Sequence, residues 1–150
     1  MRTLVVYFSK SGRTRTVAER IAAAVGGELH EIRTEKAYPR SYLMTVLAAR
    51  KEFSRGERPA LASAPLNPGD YDRILLGFPI WWGTCPMAVT AFLEGQDLRG
   101  KDVWPFCTSG AGGPGRARAD IEKVCPGATV HEGLKANRLD EGKIAAWLEG

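Results

Sequence analysis

An α/β sandwich of three layers, with a five-stranded parallel sheet between helices, is predicted by three features of this 150-residue sequence. Strand and helix patterns alternate from end to end. Three runs, Thr3–Phe8, Arg73–Phe78 and Asp102–Thr108, are almost continuously apolar, as strands buried on both faces are. Helices separate successive strands, so each connection is long enough to be the right-handed crossover that parallel neighbours need.

The elements follow in order. Thr3–Phe8 is the first strand. Val17, Ile21, Ala24 and Val25 then recur at helical spacing until Gly26-Gly27 stops the helix. Glu28–Arg33 alternates weakly, which predicts an edge or near-edge strand. Ser41–Phe53 reads as a helix (Leu43, Val46, Leu47, Arg50), and a Pro/Gly/Ala connection runs through Gly69. After the strand Arg73–Phe78, Pro86 begins a helix with Val89, Phe92 and Leu93 on one face. Ala117, Ile121 and Val124 mark a helix behind the strand Asp102–Thr108. Thr129–Leu134 supplies the last strand, and Asp140 can cap a final helix with Ile144, Trp147 and Leu148 inward. Five strands without a second nucleotide-binding half favour the order 2-1-3-4-5, whose ligand crevice opens between the first and third strands.

Residues 1–150 fit one domain, long enough to bury about 70% of the unfolded surface. With 44% hydrophobic and 25% charged residues the composition is that of a globular protein. Apolar runs are too short to insert into a membrane, and Met1-Arg2-Thr3 leads straight into a strand, so export is not expected. Cys85, Cys107 and Cys125 have neither C-x-x-C nor zinc spacing and fit a reducing compartment, the cytoplasm. Net charge is +4. Arg40, Arg50, Lys51, Arg55 and Arg58 cluster without interleaved aromatics or a nucleic-acid motif, which reads as a solvated helix face and excludes nucleic acid as the expected partner.

Three loops carry the chemistry. Ser9-Lys10-Ser11-Gly12-Arg13-Thr14 lies between the first strand and the first helix. Its hydroxyls (Ser9, Ser11, Thr14) and backbone N–H groups can donate to a phosphate at the positive end of the helix dipole. It is neither G-x-x-x-x-G-K-[ST] nor G-x-G-x-x-G, so nucleoside triphosphates and dinucleotides are poor candidates. After the third strand, Trp81 and Trp82 cannot both point into the core, and one indole is expected to form a wall for a planar ring. After the fourth, the glycine-rich loop Thr108–Gly115 lets main chain approach a ligand edge. Each loop has a plainer reading alone: a Ser/Gly helix cap, a packing pair, a flexible turn. Converging on one sheet edge, they describe a site for a phosphorylated planar heterocycle.

These residues resemble those of the flavodoxin family of FMN-binding electron carriers, over nearly the whole chain. The marks are [ST]-x-[ST]-G-x-T at Ser9–Thr14, G-x-P-x-W-W-G at Gly77–Gly83, S-G-x-G-G at Ser109–Gly113, and the stretches Tyr38-Pro39-x-x-Tyr42 and Arg58-Pro59-Ala60-Leu61. The resemblance implies that Ser9, Lys10, Ser11, Gly12, Arg13 and Thr14 hold the FMN phosphate. It implies that Pro79, Ile80, Trp81, Trp82 and Gly83 line the isoalloxazine, with Trp82 stacking and Gly83 as the flexible glycine. Ser109, Gly110, Gly112 and Gly113 would close over the pyrimidine side. The chain departs from ferredoxin-substituting flavodoxins, which are strongly acidic, and from long-chain flavodoxins, whose inserted loop splits the last strand.

No catalytic constellation or metal site accompanies the flavin loops. His30 and His131 fall at opposite sheet edges in the expected order, Cys85 reads as a buried filler, and no carboxylate pair stands out. The expectation is therefore a low-potential FMN electron carrier between a reductase and an acceptor, monomeric or homodimeric, whose basic charge favours an acidic partner. The alternatives are an FMN-dependent NAD(P)H:quinone or nitro-compound reductase, and a flavin-free binding module on the same fold.

Overall fold

The computed structural model describes residues 2–10, 12–35, 42–56, 58–62, 67–108, 116–136 and 141–149. In chain order these form β1 (Thr3–Tyr7), α1 (Arg13–Val25), β2 (Glu28–Glu31), α2 (Tyr42–Arg55), β3 (Arg73–Pro79), α3 (Met87–Glu94), β4 (Asp102–Thr108), α4 (Ala117–Val124), β5 (Thr129–Val130), β6 (Leu134–Lys135) and α5 (Glu141–Glu149). The sheet is parallel with order β2-β1-β3-β4-β5, and β6 also pairs with β4. This is the expected 2-1-3-4-5 topology. Tyr7 lies level with Gly77 and Pro79 with Thr108, so β1, β3 and β4 end side by side and release their loops along one edge.

Strand alternation sorts the apolar side chains into two cores. Leu4, Val6, Phe8, Leu76, Phe78 and Cys107 pack with Val89, Phe92 and Leu93 of α3 and with Ala117 and Ile121 of α4. Val5, Tyr7, Leu75, Trp104 and Phe106 face the other way, onto Ala18, Ile21 and Ala22 of α1 and Ile144 and Trp147 of α5. Fully burying a Leu- or Phe-sized side chain contributes about 1.5–3 kcal/mol, so these central strands anchor the scaffold under the loops.

Two helix faces and two strands differ from expectation. On α1 the buried positions are Thr14, Ala18, Ile21 and Ala22, while Ala24 faces solvent. The short alanine side chains let the helix lie close to the sheet, and that contact sets its phase. Leu47 of α2 is exposed. Beyond β2, the Arg33 carbonyl accepts the Ala62 N–H and Glu35 N–H donates to the Ala60 carbonyl, so the chain leaves the sheet to pair with Ala60–Ala62. Asp140, offered as the last helix cap, and Ser41 lie outside the described residues.

The expected strand Thr129–Leu134 is broken into β5 and β6. From Val103 to Phe106 β4 advances three residues, whereas its partners Val130 and Leu134 are four apart, so the edge carries one extra residue. Pro105 explains the break. The carbonyls of Val103 and Cys107 accept from His131 and Ala136, so β4's odd residues face this edge, and Pro105 presents no N–H to it. Within the break the Glu132 carbonyl accepts instead from Trp147 Nε1 at 3.1 Å.

Candidate functional site

The β1–α1 loop is shaped by Ser9. Its Oγ accepts the N–H groups of Gly12 (3.1 Å) and Arg15 (3.3 Å), which leaves its single proton to donate outward. Gly12 caps the helix at φ 91°, a conformation that a side-chain-bearing residue rarely adopts, and Thr16 N–H returns to the Gly12 carbonyl at 3.0 Å. The Arg13 and Thr14 amides are then left without an acceptor among the described residues. No acidic residue occupies the first turn of α1, and Lys10 and Arg13 are exposed beside it. Open amides at the positive end of a helix, with cations around them, suit an anion such as a phosphate. Behind them Arg15 pairs with Glu31, which Arg33 also meets. Burial would raise the Glu31 carboxyl, but the two guanidinium groups outweigh it and hold it below the usual range.

The β3–α3 loop forms a tight turn. Trp81 N–H donates to the Thr84 carbonyl (2.9 Å) and Thr84 N–H to the Trp81 carbonyl (3.1 Å), with Trp82 at φ 54° and Gly83 at φ 77°. Two left-handed residues in succession make a type I′ turn. Gly83 accepts this freely, whereas Trp82 is strained by about 1–2 kcal/mol. Strain of this kind at a non-glycine residue gathers at ligand sites. The turn is clamped from α4 and its N-cap, where Arg116 N–H donates to the Gly83 carbonyl (3.0 Å) and Asp120 accepts the Thr84 hydroxyl (2.5 Å). Trp81 is half-buried, edge-on to Phe8 with ring centroids 5.5 Å apart, and Trp82 is 43% exposed. The Arg50 guanidinium of α2 lies 5.5 Å over the Trp82 ring.

The two loops meet at the end of β4. Thr108 accepts the Ile80 N–H through its carbonyl (2.9 Å), and its hydroxyl lies 2.9 Å from that of Thr14. The structure therefore brings Ser9, Lys10, Gly12, Arg13, Thr14, Pro79, Ile80, Trp81, Trp82 and Gly83 to one edge. Ser11, Ser109, Gly110, Gly112 and Gly113 lie outside the described residues, as do Tyr38 and Pro39. Arg116 and Asp120 were missed in the sequence, while Thr108 stood there only as the start of the glycine-rich loop and Arg50 only within a basic helix face. A hydroxyl closing an apolar strand was a signal for the role of Thr108; Arg116 and Asp120 arrive at and within a distant helix with no local signature.

Of the remaining reactive groups, the two histidines lie elsewhere and the three thiols are buried. His131 sits in the β5–β6 break, 2.8 Å from Asp102 and stacked on Trp104 at 3.6 Å, while His30 lies across the sheet in β2, its Nε2 buried without a hydrogen-bond partner among the described residues. Burial pushes the Cys85 thiol up, and those of Cys107 and Cys125 up to about 11, so all three stay protonated near neutrality. No group of three or more His, Cys, Asp and Glu able to hold a metal occurs among the described residues. Nor is any described helix long and apolar enough to cross a membrane.

The family profile described as flavodoxin matches residues 2–150. A provisionally assigned flavoprotein from Bacteroides eggerthii is 38% identical, with a TM-score of 0.84 over 99% of this chain and 96% of its own. A flavoprotein from Lactobacillus acidophilus, solved in complex with FMN, has a TM-score of 0.81 at 23% identity over 98% of both chains. Oxidised flavodoxin 2 from Bacillus cereus shares the fold at a TM-score of 0.57 and 22% identity over 99% of both chains. No curated protein matches the chain.

Proposed function

The chain belongs to the flavodoxin family, whose cofactor is FMN, and from that premise we propose that it holds FMN at this sheet edge and carries electrons between protein partners. The observation that carries the reading is the convergence of open helix amides and an exposed aromatic turn at the ends of β1 and β3. The Arg13 and Thr14 amides, the Ser9, Ser11 and Thr14 hydroxyls and the Lys10 and Arg13 side chains hold the phosphate, around the bend made by Gly12. Pro79 to Gly83 line the ring with Trp82 as its wall, and Ser109, Gly110, Gly112 and Gly113 cover the pyrimidine side. Bound FMN supplies the redox chemistry; the chain binds it, orients it and tunes its surroundings.

A carrier needs an exposed cofactor edge and a docking surface rather than acid–base groups. Two carboxylates beside the loops are committed, Glu31 to Arg15 and Arg33 and Asp120 to Thr84. Arg50 brings α2 beside Trp82, and Lys51 on the same helix is exposed. That cationic flank favours an acidic partner, whose approach it steers at low salt. The test is steady-state oxidation of NADH and NADPH by FMN-loaded protein with a quinone present. Turnover below about 1 s⁻¹, the low end of enzyme values, is expected; faster turnover overturns the carrier and installs the quinone or nitro-compound reductase in its place.

A further inference from the structure

Thr108 is 3% exposed and Thr14 is 2% exposed, and their hydroxyl oxygens stand 2.9 Å apart. Each hydroxyl carries one proton, and their mutual hydrogen bond uses only one of the two. If Thr14 donates to Thr108, its hydroxyl has nothing to offer an anion. If Thr108 donates to Thr14, the Thr14 proton is free to point toward a phosphate beside the open Thr14 amide. An anionic acceptor selects the second arrangement, because a hydrogen bond to a charged group is about twice as strong as one between neutral groups.

We propose that Thr108 is a positioning residue for phosphate recognition: it donates to Thr14 Oγ1 and so turns the Thr14 hydroxyl outward as a phosphate donor. The recognition of the phosphate then extends past Ser9–Thr14 to the end of β4. Successive hydrogen bonds along such a chain polarise one another, so the Thr14 contact is stronger with Thr108 behind it than alone. Thr108 also holds Ile80 through its carbonyl and precedes Ser109, which ties the phosphate end of the site to both loops that flank the ring. The inference rests on the FMN reading above and adds to the phosphate motif Ser9–Thr14 a residue that lies outside it.

The test compares FMN with riboflavin, the same ring without its phosphate, by flavin fluorescence quenching on wild type, Thr108→Val and Thr108→Ser. Circular dichroism verifies each apo fold, and Thr108→Ala replaces the valine variant if that one does not fold. Thr108→Val should weaken FMN binding about tenfold and leave riboflavin binding unchanged, while Thr108→Ser restores FMN affinity. Adding Thr108→Val to Thr14→Ala should cost less than about twofold more, because the relay is already cut. Equal weakening of FMN and riboflavin by Thr108→Val, or unchanged FMN affinity, overturns the role of Thr108 and leaves the FMN reading standing. A wild type with no preference for FMN over riboflavin overturns both.

Discussion

Beside the break between β5 and β6, Trp147 Nε1 donates to the Glu132 carbonyl, and His131 pairs with Asp102 while stacking on Trp104. At the C-terminal edge of β1 and β3, by contrast, the Arg13 and Thr14 amides have no acceptor among the described residues, and Trp82 is 43% exposed in a strained turn. Both regions are rich in indoles and polar donors. A cavity of about 400 Å³, lined by Trp104, Trp147 and Glu132 among others, even opens at the first of them. What separates a binding edge from a structural one is therefore not aromatic content or hollow volume but whether the polar groups are already paired within the fold. Burying an unpaired donor costs about 1–3 kcal/mol, so a fold pairs its donors internally except where a ligand or water takes them.

The comparison breaks most visibly at the open edge. Thr14→Ala should lower FMN affinity about 10- to 100-fold, through loss of a donor to a charged oxygen, while the apo protein keeps its fold and loses about 1–3 kcal/mol as the Thr108 hydroxyl is left without its partner. The paired tryptophans divide the same way. Trp82→Ala should weaken FMN about 5- to 20-fold with little change in apo stability. Trp81→Ala, removing a half-buried ring against Phe8, should cost about 2–3 kcal/mol of stability in denaturant melts and affect FMN less. The opposite division would exchange the roles of the two rings.

At the closed edge the expected effect is smaller and of another kind. Trp147→Phe keeps a ring against Trp104 and Phe106 but leaves the Glu132 carbonyl without its donor. It should lower stability by about 1–2 kcal/mol with FMN affinity unchanged. Weakened FMN binding would show that the two edges are coupled and sink the distinction drawn between them.

His30 sharpens the comparison least but tests a third situation, a buried ring nitrogen with no partner among the described residues and away from the open edge. Its ring lies 5.8 Å from Phe92, and burial lowers its pKa. The unfolded chain takes up this proton near the ordinary value of about 6.5, and the folded chain resists it. Stability contributed by neutral His30 is therefore present above that pH, is lost as pH falls through it, and levels off below the lower folded pKa. Urea melts between about pH 8 and about pH 5 should show this decline, and His30→Phe should flatten it. An unchanged slope in the variant would remove His30 as its cause.

The sheet order was legible in the sequence, and so were the loops of the candidate site, because both are written locally. Apolar runs at β1, β3 and β4 announce buried parallel strands, and the contiguous segments Ser9–Thr14 and Pro79–Gly83 follow directly behind two of them, so topology alone carries both loops to one edge. Pro105 was equally visible, yet its effect depended on which neighbour its missing N–H faces, and that is a property of the sheet. The helix phase that buries Ala18 and Ala22 instead of Ala24 was set by how closely α1 lies on the sheet. Thr14 with Thr108, 94 residues apart, and Thr84 with Asp120, 36 apart, meet only once strand register and helix placement are fixed. Short motifs state which groups are available; hydrogen bonds reach about 3 Å, so only the folded chain decides which of them pair with each other and which are left for a ligand.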